Sequence, residues 1–577
     1  MKLKALTITN FAGIGEPGIT VPIDDIVVLI GPNNSGKSSV LDAYEAFANT
    51  GAALPVKSFH NEDPHNTVEI IGIFTEITDD DREALSSKWE YQDTQFGHAM
   101  KLKWEWANPE QGGLKYSWNP EKGEWVKGGM GGWDTLITSR IPVPLRIKPT
   151  DDHEITEKQI IDILTSAAKA ALKKDGTKAN KVLSELQSLA DSFVKEVQED
   201  LDDVCKNITN KINPIFPGHK VEFQQSIGKI DPDKIISTGS HIRISEPDKD
   251  SIPLSHQGAG MRRTFLWSSL GTLAEMGKVK QKKTAIPPER QRILLIEEPE
   301  SFLHPPMIRS ARDALYQLAE IAEWQVMTCT HSPIFIDVSK PHTTILRIEK
   351  KTFGSPRVFR SSDANFSEDD REQLRMVRSC HPTVAEFFFA DTVLLVEGET
   401  EHAIFTYLMS QDNGDSGHWC HVVNCMGKPN IPLFAKILNQ FGTPYTIIHD
   451  TDSPKVQRSG KWIASGMWTI NKRIAEVVGF RDGKLPPCSL LAHIPDFEGY
   501  YFGEKIKSNK PYHAISKVRS AEFQASPKFA ELLNIIHEPS KCDHAGIYSS
   551  YNELKVRVKD WVSETKPAPP EAWEIED

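Results

Sequence analysis

The sequence lacks the features that mark secreted, membrane-spanning and zinc-stabilised proteins. Its 577 residues include seven cysteines, which are scattered, odd in number and never spaced as Cys-x-x-Cys. This pattern supports neither a zinc site nor a framework of disulfides, and a reducing compartment fits it best. No apolar run reaches the roughly 18 residues of a membrane span, and the N-terminus has no basic-then-apolar signal. We therefore expect a cytoplasmic protein with no membrane contact.

Positive charge is also in short supply. The formal net charge is −12, with 67 lysines and arginines against 79 aspartates and glutamates. Any contact with nucleic acid therefore needs a local basic surface or metal ions held by carboxylates. The hydrophobic content of 39% and the charged content of 25% are those of an ordinary globular protein. The length predicts about three or four domains.

A phosphate-binding loop occupies residues 31–38, Gly-Pro-Asn-Asn-Ser-Gly-Lys-Ser. The apolar run 26–30 predicts a buried strand before it, and residues 39–47 predict a helix after it, which is the order that this motif requires. Glycines let backbone N–H groups surround a phosphate, the lysine supplies a full charge, and the serine hydroxyl suits Mg²⁺. The residues predicted to bind ATP are Gly31, Asn34, Gly36, Lys37, Ser38 and Ser39. Ser38 is also predicted to be a ligand of Mg²⁺.

Later segments carry further groups that suit a nucleotide site. The apolar strand 292–296 ends in Glu297 and Glu298, where the first carboxylate would hold Mg²⁺ and the second would polarise the attacking water. His331 follows another apolar strand, where it could sense the γ-phosphate. A second candidate anion site precedes an apolar helix and consists of Ser255, Gly258 and Gly260. A serine and small glycines at a helix start can bind an anion, but a simple glycine-rich helix cap has the same pattern.

Two other regions leave alternatives open. Residues 89–133 hold six of the 13 tryptophans, and the alternation at 101–107 predicts an antiparallel lobe, with base stacking on exposed rings as the alternative. Residues 154–212 show helical spacing that predicts an inserted helical hairpin, which could mediate dimerisation or only pack locally. The proline-rich, acidic tail 564–577 is predicted to be mobile.

These motifs, in this order, resemble ABC-type ATPases of the recombination and chromosome-structure kind over about 350 residues. The resemblance implies that two ATPase heads dimerise with nucleotide between the phosphate loop of one and residues 255–260 of the other. Such ATPases usually have a glutamine loop after the first helix, but here no glutamine follows Lys37 until Gln92. The polar residues that could replace it are His60, Asn61 and Asp63.

A second set of carboxylates lies in residues 379–577. Apolar strands are predicted at 391–396, 422–424 and 446–449, and the first and third are followed by Glu397 and by Asp450-Thr451-Asp452. Parallel strands would bring these groups to one edge of a sheet, and Glu401, one helical turn after Glu397, could face the same point. Clustered carboxylates repel each other unless cations neutralise them, and Mg²⁺ or Mn²⁺ suits their oxygens. A solvated acidic edge is the alternative.

The Glu-Gly and Asp-x-Asp motifs resemble those of the TOPRIM domain of topoisomerases, primases and some nucleases. An ABC-type ATPase followed by a TOPRIM domain resembles the OLD (overcoming lysogenisation defect) family of nucleases, including effectors of Gabija-like and retron-type antiphage systems. This resemblance implies a further acidic ligand, assigned to Glu498, and a lysine that stabilises the transition-state phosphate. Lys510 is the predicted lysine, with Lys505 and Lys507 as rivals. The implied metal ligands of this site are Glu397, Glu401, Asp450, Asp452 and Glu498.

The predicted fold is α/β. It has ABC-type ATPase lobes at 1–150 and 226–378, a helical dimerisation insertion at 151–225 and a TOPRIM nuclease domain at 379–577. The predicted function is an ATP-hydrolysing, metal-dependent DNA endonuclease of antiphage defence that forms a homodimer or a higher oligomer. A helicase or a reverse transcriptase encoded nearby is a candidate partner. The alternatives are a structural or sensor ATPase whose TOPRIM-like domain binds without cutting and, third, a topoisomerase or primase.

Overall fold

The computed structural model divides the chain into two compact units. The first comprises residues 1–146, 291–300 and 304–577, and the second comprises 147–290 and 301–303. The helical insertion predicted at 151–225 lies outside the described residues, and the three domain boundaries stay predictions. The structure describes residues 1–128, 140–148, 242–244, 250, 252–262, 264–265, 280–281, 284–285, 290–350, 354–381, 384–411, 420–478, 487–504, 506, 508–537 and 544–575.

The described chain contains both strands and α-helices. The strands are β1 (Lys2–Thr9), β2 (Ile19–Pro22), β3 (Ile26–Ile30), β4 (Val68–Thr75), β5 (Tyr91–Asp93), β6 (Gly97–Trp106), β7 (Leu114–Asn119), β8 (Glu124–Lys127), β9 (Val143–Ile147), β10 (Arg243–Ile244), β11 (Ile252–Pro253), β12 (Lys280–Gln281), β13 (Thr284–Ala285), β14 (Arg292–Glu297), β15 (Trp324–Cys329), β16 (Thr343–Arg347), β17 (Arg357–Arg360), β18 (Thr392–Val396), β19 (Cys420–Asn424), β20 (Tyr445–Asp450), β21 (Lys455–Arg458), β22 (Lys461–Ala464), β23 (Cys488–His493) and β24 (Ile547–Tyr548). The α-helices are α1 (Lys37–Ala48), α2 (Asp79–Leu85), α3 (Pro305–Ala319), α4 (Glu368–Cys380), α5 (Glu399–Gln411), α6 (Ile431–Phe441), α7 (Gly466–Val478), α8 (Phe497–Phe502), α9 (Lys510–Val518), α10 (Ala521–Gln524), α11 (Pro527–His537) and α12 (Tyr551–Thr565).

The N-terminal strands form an antiparallel sheet. Its order is β2-β1-β4-β6-β7-β8, and β5 pairs with β6. The alternating segment in β6 buries Leu102, Trp104 and Trp106 in the core, as the period of two predicts. Because the rings of Trp104 and Trp106 are packed inside, they are not a platform for stacking bases, and the interpretation as a packed antiparallel lobe is confirmed.

A largely parallel sheet carries the groups of the predicted nucleotide site. Its order is β17-β16-β3-β15-β14-β9, and β16, β3, β15 and β14 pair in parallel. All residues of β3 and β15 are buried, as expected for central strands of a parallel sheet. The carboxyl ends of these strands therefore share one edge, where the phosphate loop follows β3, Glu297 ends β14 and His331 follows β15.

A second parallel sheet is formed by residues after 390. Its order is β19-β18-β20-β23-β24, with the first four strands parallel and β24 antiparallel to β23. The three strands predicted at 391–396, 422–424 and 446–449 are found as β18, β19 and β20, to within two residues at each end. Glu397, Asp450 and the loop before Phe497 lie at the carboxyl edge of this sheet, where open α/β sheets bind ligands.

The C-terminal tail differs from its prediction. Residues 564–575 are described, with a short 3-10 helix at Pro570–Trp573. The ring of Trp573 lies 4.8 Å from that of Trp561, measured between centroids, and Lys455 Nζ lies 2.9 Å from Glu574 Oε2. The prediction of a mobile tail is wrong because the tryptophan packs against α12, although the surrounding composition is proline-rich and acidic.

No helix among the described residues is long and apolar enough to cross a membrane.

Candidate nucleotide and metal sites

The phosphate loop borders a cavity of about 580 Å³. The loop makes its tight turn with left-handed backbone at Gly36 (φ 104°) and positive φ at Gly31 (φ 138°). A Cβ added to Gly31 would lie 2.3 Å from Ile348 O, so the close approach of the loop to the next strand requires glycine. The predicted residues that line this cavity are Asn34, Gly36, Lys37, Ser38, Ser39, Glu297, Glu298 and His331.

The lysine of the loop is held by the loop itself. Lys37 Nζ donates to Gly31 O at 3.0 Å and to Pro32 O at 2.7 Å. Burial lowers the pKa of Lys37, and its carboxylate neighbour Glu298 opposes that effect. Burial also lowers the pKa of His331, to which the charge of Lys37 contributes. A neutral imidazole near a phosphate can donate a hydrogen bond without adding a charge.

Arg146 is a member of this site that the sequence motifs did not predict. Ser38 Oγ donates to Glu297 Oε2 at 3.0 Å, and Arg146 contacts the other oxygen of Glu297. The same guanidinium lies 2.9 Å from Asp42 Oδ1 on α1. Arg146 comes from β9, an edge strand of the parallel sheet without a recognisable motif around it. Only the strand order brings it to Glu297, so no local signal could have identified it.

The structure bears on which residue could replace the missing glutamine of the glutamine loop. His60, Asn61 and Asp63 do not line the cavity, and His60 Nδ1 lies 3.0 Å from Ala12 O instead. Arg146, like Ser38, contacts the predicted Mg²⁺ ligand Glu297. The remaining predicted nucleotide residues, Ser255, Gly258 and Gly260, belong to the second unit, where Ser255 lies in a 3-10 helix at Leu254–His256. Their contact with a nucleotide in a dimer stays a prediction.

The carboxylates of the TOPRIM region meet at the edge of its sheet. Asp450 N donates to Glu397 Oε2 at 3.2 Å, so the ends of β18 and β20 are joined directly. Phe497 N donates to Asp450 Oδ1 at 2.8 Å, which ties the start of α8 to the same strand end. Glu498, in the first turn of α8, lies 3.1 Å from Lys510 Nζ. The structure thus connects the predicted groups through the end of one strand.

Burial and mutual repulsion dominate the electrostatics of this cluster. The pKa of Asp450 is raised well above its usual value by burial and by the charges of Glu401 and Glu397. Burial raises the pKa of Glu401 to about 7, with Glu397 and Glu498 contributing. Burial raises the pKa of Glu397 as well, and Lys428 opposes that effect. Carboxylates in this state bind either protons or cations, and their hard oxygens fit Mg²⁺ or Mn²⁺.

The carboxylates do not converge on a single point as they stand. Among the described residues, no group of three or more His, Cys, Asp and Glu side chains is arranged so that it could hold a metal ion. Backbone N–H groups bind one oxygen each of Glu397 and Asp450, and lysines bind one oxygen each of Asp452 and Glu498. The hard oxygens of these carboxylates fit a divalent ion.

Two lysines at this site have different standing. Lys510, the predicted lysine, pairs with Glu498. Burial alone would lower the pKa of Lys510, but Glu498 and the neighbouring carboxylates outweigh burial, so its pKa is raised. Its rivals Lys505 and Lys507 lie outside the described residues. Lys428 was not predicted, and its Nζ lies 2.8 Å from Asp452 Oδ2. It follows Gly427 in the loop after β19, and that Gly-Lys pair was the available but unspecific signal.

Comparison with known families agrees with this two-part construction. A phosphate loop on one parallel sheet and a carboxylate edge on another define an ATPase joined to a TOPRIM domain. The chain belongs to the AAA ATPase domain family, whose model matches residues 1–123 and 134–336. Residues 388–452 match the model of the overcoming lysogenization defect protein-like TOPRIM domain. The predicted OLD-type domain combination and the α/β fold class are therefore confirmed.

Three relatives share modest identity with this chain. The Old nuclease of Escherichia phage P2 is 24% identical over 476 residues, which are 78% of this chain and 77% of that protein. The OLD nuclease of Thermus scotoductus is 26% identical over 259 residues, 43% of this chain and 48% of that protein. Endonuclease GajA of Bacillus cereus is 24% identical over 207 residues, 32% of this chain and 30% of that protein. The chain thus matches less than half the length of the last two.

Proposed function

We propose that this protein is an ATP-hydrolysing, metal-dependent DNA endonuclease. The observation that carries the proposal is the joined carboxylate edge of the TOPRIM sheet, where Asp450 bonds Glu397 through its N–H and the start of α8 through its side chain. A domain that only binds DNA has no need of buried carboxylates whose pKa values are raised by one another. The names of the three relatives, all nucleases, support the same activity.

ATP would be bound in the cavity beside the phosphate loop. The N–H groups of the loop and Lys37 would bind the phosphates, and Ser38 with Glu297 would hold Mg²⁺. Glu298 would accept a hydrogen bond from the attacking water, and neutral His331 would donate one to the γ-phosphate. The second candidate anion site, Ser255, Gly258 and Gly260, would complete this site from a second copy, which would make a homodimer the smallest active form.

DNA cleavage would take place at the TOPRIM edge. Glu397, Glu401, Asp450, Asp452 and Glu498 supply the oxygens that would hold Mg²⁺ or Mn²⁺. A divalent ion bound there lowers the pKa of water and stabilises the leaving oxygen. Lys510 is exposed enough to reach a DNA phosphate, where its charge would offset the charge that develops in the transition state.

Nucleotide state would control cutting through the junction between the two sheets. β16 lies beside β3, and Ile348, just after β16, receives the close approach of Gly31 in the phosphate loop. Arg347, the last residue of β16, pairs with Asp391 at 2.9 Å and also contacts Ala390 O. Asp391 immediately precedes β18, the strand that ends beside Glu397. We propose that this series of contacts, continued along β18, transmits a movement of the phosphate loop to the metal site.

The biological role that we propose is antiphage defence in the cytoplasm. Similarity to endonuclease GajA supports the predicted resemblance to Gabija-like systems. A homodimer or larger oligomer, built through the insertion at 151–225, and a helicase or reverse transcriptase encoded nearby belong to the same proposal. We also propose that residues 150, 225 and 378 end the N-terminal ATPase lobe, the helical insertion and the C-terminal ATPase lobe.

Plasmid cleavage tests the central claim. Wild-type protein would be incubated with Mg²⁺ or Mn²⁺, with and without ATP, beside Asp450→Ala and Lys37→Ala. We expect metal-dependent nicking that Asp450→Ala abolishes, ATP hydrolysis that Lys37→Ala abolishes, and a changed response of nicking to ATP in Lys37→Ala. ATP hydrolysis with no cleavage under any metal condition, with phage DNA and the neighbouring gene product included, would instead favour the structural or sensor ATPase.

A further inference from the structure

Lys428 is a buried cation inside the TOPRIM site. Its side chain is 0% exposed. Its Nζ contacts Asp450 O, lies 3.3 Å from Thr451 O and lies 2.8 Å from Asp452 Oδ2. An ammonium has three protons to donate, so these three acceptors satisfy it completely. The residue therefore neutralises one predicted metal ligand and spans the whole Asp-x-Asp segment.

The loop that carries Lys428 is fixed independently of the carboxylates. Gly427 N donates to Glu397 O at 2.8 Å, which attaches the loop to the end of β18. Asn430 Nδ2 donates to Cys425 O at 2.9 Å across the turn. On the opposite side, Asn471 Nδ2 donates to Thr451 O at 2.9 Å. Two of the three acceptors of Lys428 are main-chain carbonyls, so its ammonium stays in place when Asp452 changes partner.

We propose that Lys428 is a positioning residue that acts as a fixed cation of the TOPRIM site, holding Asp452 and competing with the divalent metal for it. Asp452 has left-handed backbone (φ 57°), a conformation that needs support from its surroundings. Lys428 supplies that support by joining Asp452 to the two preceding carbonyls. The inference rests on the proposed function, because it takes the carboxylate cluster to bind a divalent ion.

The burial of Lys428 separates its role from that of Lys510. Lys510 is 44% exposed and pairs with Glu498, so a DNA phosphate can reach it. Lys428 has no exposed side-chain surface, and its three protons point to protein oxygens, so it does not touch substrate. It acts through Asp452 instead, by setting the position of that carboxylate and the charge beside it.

Metal binding measured without catalysis tests this inference. Full-length protein, without DNA or nucleotide, would be titrated with Mn²⁺ and free Mn²⁺ followed by electron paramagnetic resonance. The Asp450→Asn protein identifies the part of the signal that belongs to the TOPRIM site. Lys428→Met should bind Mn²⁺ at least about tenfold more tightly, because a fixed charge that repels the ion and occupies Asp452 is gone. Lys436→Met is the matched control, since Lys436 lies on the following helix and pairs with Asp370.

DNA cleavage provides a second measurement, in which Lys428→Met should lower the rate although it strengthens Mn²⁺ binding. At saturating Mn²⁺, the nicking rate of Lys428→Met should fall at least about tenfold, because Asp452 is no longer held and small misplacements are costly. A purely structural role would weaken metal binding and slow cleavage together. ATP hydrolysis serves as the check of folding, and Lys428→Gln, which keeps a donor for the two carbonyls, replaces the methionine variant if that does not fold.

The outcomes separate the two proposals. Tighter Mn²⁺ binding with slower nicking supports the inference, whereas weaker or unchanged binding in a folded Lys428 variant overturns it. If wild-type protein shows no Mn²⁺ binding that depends on Asp450, the proposed nuclease function itself is wrong. Lys436→Met should behave as wild type in both measurements. If Lys436→Met changed Mn²⁺ affinity and nicking rate as Lys428→Met does, the cause would be the loss of any positive charge, and the inference would be wrong.

Discussion

The nucleotide site and the TOPRIM site lie at the same kind of place, the carboxyl edge of a parallel sheet, but they are assembled differently. The phosphate loop of the nucleotide site is one continuous segment, residues 31–38, and it borders a cavity of about 580 Å³. The TOPRIM groups come from the ends of separate strands, β18, β20 and β23, and lie against one another. The phosphate loop is therefore encoded locally, whereas the carboxylates of the TOPRIM site come together only when the sheet is formed.

The two sites also balance charge in opposite ways. A nucleotide is an anion, and its site presents N–H groups and Lys37, with Arg146 holding Glu297. A divalent metal is a cation, and its site presents buried carboxylates with raised pKa values. In both, the chain provides its own cation beside a carboxylate that we propose as a metal ligand: Arg146 at Glu297 and Lys428 at Asp452. This difference in assembly leads to four predictions.

The largest effect should come from the strand end that joins the TOPRIM site. Asp450→Asn keeps an oxygen that can accept from Phe497 N but removes the charge needed to hold a divalent ion. We expect metal-dependent cleavage to fall at least about 10³-fold, since metal assistance is worth several kcal/mol, while ATP hydrolysis continues. Asp369→Asn, an exposed aspartate on α4, is the control. Loss of both activities together in Asp450→Asn would contradict two separate sites.

Glu401 should make the metal-free protein less stable as the pH rises. Burial raises its folded-state pKa from 4.5 to about 7, so between these values the folded chain holds a proton that the unfolded chain has released. The free energy of unfolding therefore falls as the pH rises through this window. In EDTA at pH 8, Glu401→Gln should be more stable than wild type by up to about 3 kcal/mol.

Denaturant unfolding at pH 5 and pH 8 measures this effect. The difference between Glu401→Gln and wild type should be small at pH 5 and appear at pH 8. Glu399→Gln, two residues earlier on the same helix and exposed, should show no such difference. Equal stabilisation by the two variants would mean that Glu401 is not destabilised by its surroundings.

The same contrast explains what the sequence could predict. The phosphate loop, Glu297 and His331 follow apolar strands in a fixed order, so their edge of the sheet could be predicted from local patterns. Three of the five strands of the TOPRIM sheet, β18, β19 and β20, were predictable for the same reason, as were Glu397 and Asp450 at the ends of β18 and β20. Burial of Trp104 and Trp106 followed from alternation.

Arg146 and Lys428 could not be predicted, because each contacts its carboxylate across strands that are distant in sequence. The separation is 151 residues between Arg146 and Glu297 and 24 residues between Lys428 and Asp452. Arg146 has no periodic or motif signal of its own, and the only local signal for Lys428 is the unspecific pair Gly427-Lys428. The tail was mispredicted for a related reason: composition indicated mobility, whereas the contact of Trp573 with Trp561 depends on where α12 lies.

A smaller effect is expected when the cation of the nucleotide site is removed. Arg146→Met takes away the guanidinium between Glu297 and Asp42, so Glu297 is no longer held. ATP hydrolysis at saturating Mg²⁺ should fall roughly tenfold, as is usual when a residue that orients a metal ligand is lost. The Asp450-dependent binding of Mn²⁺ at the TOPRIM site should be unchanged. Arg140→Met, whose parent residue pairs with Asp81, is the control. Unchanged hydrolysis would mean that the contact with Glu297 is incidental.

The smallest effect, and the one that joins the two sites, concerns the pair Arg347–Asp391. Asp391→Asn keeps the shape of the side chain but removes its charge at the 2.9 Å contact with Arg347. Each activity should then change by no more than a few-fold when measured alone, because neither residue lies in a site. The ratio of cleavage with ATP to cleavage without ATP should move toward one, since that ratio depends on the connection between β16 and β18.

This ratio distinguishes coupling from general destabilisation. A damaged junction that merely loosens the protein would lower cleavage with and without ATP by the same factor and leave their ratio as in wild type. Arg375→Met, which removes a surface ion pair with Glu368 on α4, gives the reference for an arginine outside the junction. If Asp391→Asn retains the wild-type ratio, the two sites communicate by another route, such as the dimer of heads, and the buried arginine serves only to attach one sheet to the other.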